Sequence, residues 1–218
     1  MDVFVTGATG VLGQPVVRRL VAAGHRMRAL ARSEANVATL RELGAEAVRA
    51  DLFNVASLRE AVAGSDAVLH LATRIPPTKE VLRAAAWREN DRIRREGTRN
   101  LVDAALAAGV ATFIYQSVCF IYPDGGDAWL DAAATPPAPT PHLRSTLDAE
   151  AEVARFTATG RRGIALRMGF FYGAGAGMTR ELLDLARRGI AAVFGSGGAY
   201  QPLIWVDDAA AAVVAALE

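Results

Sequence analysis

Met1-Asp2-Val3-Phe4-Val5-Thr6-Gly7-Ala8-Thr9-Gly10-Val11-Leu12-Gly13 decides the fold of this 218-residue chain. An apolar run, Val3 to Val5, meets a turn with glycines spaced G-x-x-G-x-x-G, and a helical pattern with Val16, Val17, Leu20 and Val21 on one face follows at once. The order is strand, glycine turn, helix. Gly7 lets the chain leave the strand in a turn that a β-carbon would crowd. Gly10 lets main-chain N–H groups approach a pyrophosphate, and Gly13 lets the helix lie close on the sheet. The helix N-terminus then offers N–H donors and a partial positive charge, which suits phosphates. Thr9, Val11 and Leu12 sit between the glycines and join the same candidate cofactor-binding set. Glycines in a turn can also serve packing alone; their place between a core strand and a helix is what favours a dinucleotide.

Beyond this stretch, strand and helix patterns alternate with short connections, the signature of an α/β, doubly wound parallel sheet with helices on both faces. The strands read as Arg26 to Ala31, Ala45 to Ala50, Asp66 to Ala72, Ala111 to Ser117 and Gly163 to Met168, with a short one at Pro202 to Val206. Helices read as Glu34 to Leu43, a long helical region from Lys79 to Ala108, Leu143 to Thr159, Met178 to Gly189, and an Ala-rich final helix capped by Asp207. Asn54 is a candidate cap for the helix carrying Leu58 and Val62. Residues 123–142, rich in Gly, Pro and Ala, are too long for a tight connection and read as a lid loop. The whole chain, 1–218, reads as one domain.

Composition narrows the function. A formal net charge of +1 gives no electrostatic case for nucleic acid or an anionic membrane surface. Hydrophobic residues make up 52% of the chain, yet charged residues or glycine interrupt every run before membrane-spanning length. Because the first residues already form a core strand, no signal peptide is expected, and with a single cysteine, Cys119, the reading is cytoplasmic. Cys119 itself is expected to be a buried, inert thiol. His70 falls inside an apolar strand and reads as a packed histidine, and no spacing suggests a metal site.

The T-G-A-T-G-x-L-G form of the turn resembles the short-chain dehydrogenase/reductase superfamily, specifically its extended branch of NAD(P)-dependent epimerases and dehydratases. The resemblance extends along the chain. Asp51-Leu52 matches the family's Asp-Leu or Asp-Val pair that holds the adenine, although Asp is also common in turns. Leu71-Ala72-Thr73 is implied to pass beside the nicotinamide half. Gly97-Thr98-Arg99-Asn100-Leu101 resembles the family's G-T-x-N-L helix, with Arg94 where an Asn usually stands three residues before the glycine. Met168 to Gly173 resembles the R-x-x-N-V-Y-G stretch with Phe170 for the Asn, and Val206-Asp207-Asp208-Ala209 matches V-D-D-A. Family members continue into a small substrate-covering region, so 169–218 reads as a truncated version of it.

At the tip of the second strand, Ala31 stands where an NAD-selecting acid would, and Arg32 follows. An acid there binds the free 2′-hydroxyl of NAD, whereas an arginine accommodates the 2′-phosphate of NADP. The expected cofactor is therefore NADP, with NAD as the alternative. Ser33 could add a hydroxyl to that phosphate, and Glu34 would repel it.

The resemblance also implies a Tyr acid/base, a Lys four residues later and a Ser or Thr on the fifth strand. None is present. Counted back from Tyr122, the hydroxyl position is Val118, with Ser117 one place off; at the start of the next helix the Tyr position is His142 and the Lys position Thr146. Of 24 basic residues only Lys79 is a lysine, and it lies near another helix. His142 and Ser117 remain as catalytic candidates, His142 because an imidazole exchanges protons near neutral pH. Three functions stay open: a reductase or isomerase acting on a small carbonyl or sugar-type substrate with altered catalytic groups, a non-catalytic NADP sensor, and a homo-oligomer subunit with contact faces near Trp87 and Trp129.

Overall fold

The computed structural model describes residues 1–218 apart from Leu82, Ala134, Pro136, Ala192, Phe194 and Gly195, and describes only the main chain of Lys79 and His142. Six parallel strands form one sheet in the order β3-β2-β1-β4-β5-β6: β1 (Asp2–Thr6), β2 (Arg26–Ala31), β3 (Glu46–Arg49), β4 (Ala67–His70), β5 (Thr112–Val118) and β6 (Arg162–Met168). The order reverses between β1 and β4, so a crevice opens beyond their carboxyl ends, where ligands of such sheets bind. A second, two-stranded parallel sheet joins β7 (Phe170–Tyr172) to β8 (Leu203–Trp205).

Alternation along the strands sends successive side chains to opposite layers. Val3, Val5, Ala29, Leu69 and Ile114 pack beneath α1 (Gly13–Ala22), α2 (Glu34–Glu42) and α8 (Val206–Leu217). Phe4, Leu30, Val68, Phe113 and Tyr115 face the other way, onto α3 (Val55–Val62), α5 (Thr98–Ala107) and α6 (Arg144–Thr157). Both layers are largely apolar, which is why the strands carry near-continuous hydrophobic runs. Among the described residues no helix is long and apolar enough to cross a membrane.

Three local features differ from the sequence expectations. The long helical region is two short 3-10 turns, Thr78–Glu80 and Ala84–Trp87, followed by one continuous helix: α4 (Arg88–Arg92), a π-helical turn at Ile93–Gly97, and α5. Asp207 does not cap α8, because the helix begins one residue earlier with Trp205 at the cap position. Its carboxylate instead accepts from Trp205 Nε1 at 3.2 Å and pairs with Arg19 at 3.8 Å. Asn54 does cap α3, accepting from Ser57 N at 3.2 Å. Cys119 is half-buried rather than buried, and burial pushes its thiol pKa up. The helix α7 (Gly177–Arg187) leaves Met178, Leu182 and Leu183 exposed.

The sheet also buries a histidine. His70 is fully buried, with Nδ1 2.6 Å from Thr6 Oγ1 on the neighbouring strand and its ring 5.7 Å from that of Tyr115. Burial lowers its pKa to about 4, the nearby Ile93 main chain working weakly the other way. Between that value and the ordinary 6.5 the unfolded chain takes up a proton that the folded one refuses, so stability falls as pH drops through this window. The expected loss on crossing it is on the order of 3 kcal/mol. Urea unfolding of the wild type and His70→Phe at pH 7 and below pH 5 should show a slope that the variant lacks; equal slopes would remove His70 as its source.

Candidate functional site

The glycine turn is built by contact. Gly7 has φ +79°, and a Cβ there would lie 2.6 Å from the main chain of Leu71 and Ala72, so the turn rests directly on the end of β4. At Gly13 a Cβ would meet the Gly7 carbonyl oxygen at 2.1 Å. The third glycine thus lets α1 start against the turn itself rather than against the sheet. Gly10 N donates to Gly7 O at 2.9 Å, closing the loop, and no side chain caps α1. No side chain therefore competes for the first amides of the helix, although Gln14 N donates to Gly10 O at 3.2 Å.

A cleft of about 390 Å³ runs from this turn along the carboxyl ends of the strands. Of the residues singled out in the sequence, Gly7, Thr9, Gly10, Val11, Leu12, Gly13, Arg32, Asp51, Leu52, Leu71, Ala72 and Thr73 all line it. Arg32 makes no ion pair among the described residues. Its neighbours are otherwise occupied: the Ser33 hydroxyl accepts from Asn36 N at 3.3 Å to cap α2, and Glu34 is turned to Arg49. The acid expected to repel a phosphate is thus neutralised beside the site, and the hydroxyl expected to help is spent on the helix. One Asp51 oxygen accepts from Phe53 N at 3.0 Å, so this residue both shapes its turn and lines the cleft.

Asn36, Gln116, Ile93 and Phe171 also line the cleft and were not in the candidate set drawn from the sequence. Asn36 lies four residues past Arg32 on the following helix, a spacing that could have found it. Gln116 follows from strand alternation, because its neighbour Ser117 faces the opposite layer. Phe171 gives the cleft an apolar side, while its neighbour Phe170 packs edge-on against Phe120 with ring centroids 4.7 Å apart.

The catalytic candidates separate. Ser117 is fully buried, and its hydroxyl donates to Glu150 Oε1 at 2.5 Å. Glu150 in turn accepts from Arg167 Nη2 at 2.7 Å and Nε at 3.0 Å, and Arg167 also donates to the Tyr122 hydroxyl. Ser117 is thus one donor in a network that ties β5, α6 and β6 together. The His142 side chain lies outside the described residues; its main chain belongs to a 3-10 turn, Pro141–Leu143, leading into α6. Thr146 is fully buried on the first turn of α6, and Ser145 beside it donates to Asp91 Oδ1 at 2.6 Å. Among the described residues no group of three His, Cys, Asp or Glu side chains could hold a metal ion.

Comparison with known proteins places this architecture. The sequence profile described as "NAD dependent epimerase/dehydratase family" matches residues 3–218. A 3-diazoavenalumate denitrifying reductase from a Streptomyces species is 36% identical over 231 residues, spanning all of this chain and 72% of that protein. A 2-alkyl-3-oxoalkanoate reductase from Stenotrophomonas maltophilia is 28% identical over 227 residues, spanning all of this chain and 66% of that protein. Among solved structures, UDP-glucuronic acid 4-epimerase from Bacillus cereus, in complex with UDP-glucuronic acid and NAD, superposes with a TM-score of 0.82 at 21% identity, covering 100% of this chain and 73% of that one. A profile match across nearly the whole sequence and a 36% identical relative together establish that the chain belongs to the NAD-dependent epimerase/dehydratase family.

Proposed function

We propose that the cleft binds NADP(H), with NAD(H) as the weaker alternative, and that the chain is a reductase for a small, largely apolar carbonyl-type substrate. The observation that carries this reading is the glycine turn, packed main chain to main chain at Gly7 and Gly13, which lines one cleft together with Arg32, free of any ion pair among the described residues, and Phe171. Amides of the turn and of α1 would hold the pyrophosphate. Arg32, with Asn36 beside it, would hold the 2′-phosphate. Leu52 and Asp51 would flank the adenine, and Leu71 to Thr73 with Gln116 would line the nicotinamide half. A nicotinamide cofactor supplies or accepts a hydride when bound; the protein supplies orientation and electrostatics.

The relatives' names bear on the substrate. Two that span the whole chain are reductases, of a 3-diazoavenalumate and of 2-alkyl-3-oxoalkanoates. The apolar Phe171 side of the cleft fits such molecules better than a sugar nucleotide. Val118 and Thr146, where a hydroxyl and a lysine are usual, leave His142 as the acid/base and Ser117 as support through Glu150. Those same two replacements favour the second reading, an NADP-binding sensor without turnover.

Three measurements test these assignments. Arg32→Asp should weaken NADPH binding by roughly 10- to 100-fold, the worth of a charge-assisted hydrogen bond, with NADH little affected; unchanged NADPH affinity by calorimetry would remove Arg32 from phosphate recognition. Gly13→Val should abolish binding of both cofactors, and retained binding would sink the pyrophosphate assignment. NADPH oxidation against aromatic and aliphatic oxo-acids, aldehydes and diazo acids, in the wild type and in His142→Phe, separates enzyme from sensor: turnover lost in the variant with cofactor affinity intact supports His142, turnover equal in both excludes it, and binding with no turnover supports the sensor.

A further inference from the structure

The wall of the cleft beyond β4 is held at its far end by one side chain. Leu71, Ala72, Thr73 and Ile75 line the cleft, and β4 ends at His70, so these residues lie past the last pairing of the ladder. Leu71 N still donates to Thr6 O at 3.0 Å, and the main chain of Leu71 and Ala72 rests against Gly7. From Thr73 onward that support ends. Pro76 and Pro77 carry no N–H, and among the described residues a single hydrogen bond reaches the main chain of 72–76: Arg74 N donates to Asn90 Oδ1 at 2.9 Å.

Asn90 lies on α4, three residues before Ile93, which itself lines the cleft. It is fully buried, so no water competes for the Arg74 N–H, and its uncharged amide needs no counter-ion at that depth. The oxygen is the atom that faces Arg74, because only an acceptor can meet an N–H; the Nδ2 has no partner among the described residues. Segments with few main-chain hydrogen bonds open at little cost, and one buried anchor raises that cost.

This wall serves one half of the cleft. The sheet order puts β4 on one side of β1 and both β2 and β3 on the other, so Leu71 to Ile75 stand across the glycine turn from Arg32, Asp51 and Leu52. The helix that carries Asn90 also touches the far side, by separate contacts: a Cβ at Gly97 would lie 2.6 Å from the Leu52 side chain, and Asn100 Nδ2 donates to Leu52 O at 3.2 Å. A disturbance of the whole helix would therefore reach both halves of the cleft. One confined to Arg74 reaches only the half beyond β4.

We propose that Asn90 is a positioning residue that fixes the 71–75 wall against the nicotinamide half of the cofactor, acting through the Arg74 main chain. This rests on the reading of the cleft as a dinucleotide site with the 2′-phosphate at Arg32. Without the anchor the wall is free to move away from the ring, and the grip lost is that of one hydrogen bond, roughly 3- to 10-fold in affinity. The adenosine diphosphate half, held at the glycine turn and by Arg32, keeps its contacts.

The test compares, by calorimetry and without substrate, the binding of NADPH and of 2′-phospho-ADP-ribose, which lacks the nicotinamide ring. Asn90→Leu, similar in volume and without an acceptor, should weaken NADPH roughly 3- to 10-fold and leave 2′-phospho-ADP-ribose unchanged. Asn90→Asp keeps an acceptor oxygen in either protonation state and should bind both as the wild type does. Unchanged NADPH affinity in Asn90→Leu, or equal weakening of both ligands, overturns the proposal, as does a folded Asn90→Asp that repeats the pattern of Asn90→Leu. Should Asn90→Leu fail to fold, amide hydrogen exchange in the wild type decides: the Arg74 amide should exchange more slowly than those of Thr73 and Ile75, and an equal rate overturns the proposal. Failure of the wild type to bind either ligand instead overturns the cleft assignment itself.

Discussion

Close main-chain approach between the first turn and the fourth strand is the constraint on which the rest of the structure depends. Gly7 adopts a left-handed backbone conformation with its α-carbon against Leu71 and Ala72, and Gly13 starts α1 against the Gly7 carbonyl. A side chain at Gly7 would push the turn off the end of β4, one of the two strands between which the sheet order reverses, and one at Gly13 would push α1 off the turn. That reversal makes the crevice, because helices following β1 and β4 leave toward opposite faces. The same residues are therefore needed for the packing of the sheet centre and for the shape of the cleft. Packing and ligand binding are not alternative explanations of this turn.

A second constraint comes from the cost of polar groups in the interior. The sheet's outer strands and helices are tied by exposed ion pairs, such as Arg155 with Glu152 and Asp103, each contributing little because water competes for both partners. The layer between β5, α6 and the π turn is different. There the Glu150–Arg167 pair is only 12% and 23% exposed at its side chains and is backed by Ser117 and Tyr122, so its members are fixed in place. Next to it stand the unmatched groups of Arg94, Tyr115 and Thr146. Leaving such groups unpaired is costly, of order 1–3 kcal/mol each and more for a charge. A π turn is a common accompaniment of functional sites, where the extra residue re-aims side chains that an unbroken helix would send elsewhere.

Much of this was legible in the sequence, for physical reasons. Strand and helix periods, together with Asn54 as a cap, located the first three β-α units to within a residue or two, because local propensity and burial agree there. Every residue named for the cleft from the turn, from Arg32, and from the ends of β3 and β4 does line it, since strand ends and glycine turns fix position with little help from distant contacts. The π turn was not legible: it adds one residue to a helix without altering composition. Nor was the engagement of Ser117, whose partner Glu150 lies 33 residues away and meets it only through the packing of α6 on β5. Asp207 misled because Asp is a favoured cap, but the Trp205 ring above it and Arg19 across from it give its carboxylate better partners.

The absent lysine and the buried arginine can be understood together. A lysine on the first turn of α6 would place an ammonium near Tyr115 and the π turn; Thr146 fills only part of that volume and brings no charge. Arg94 enters the same interior from the opposite helix, with a longer side chain and a delocalised, more weakly hydrated cation that tolerates burial better than an ammonium does. A guanidinium does not deprotonate in a protein, so Arg94 brings a fixed positive charge to this interior and no group able to exchange protons.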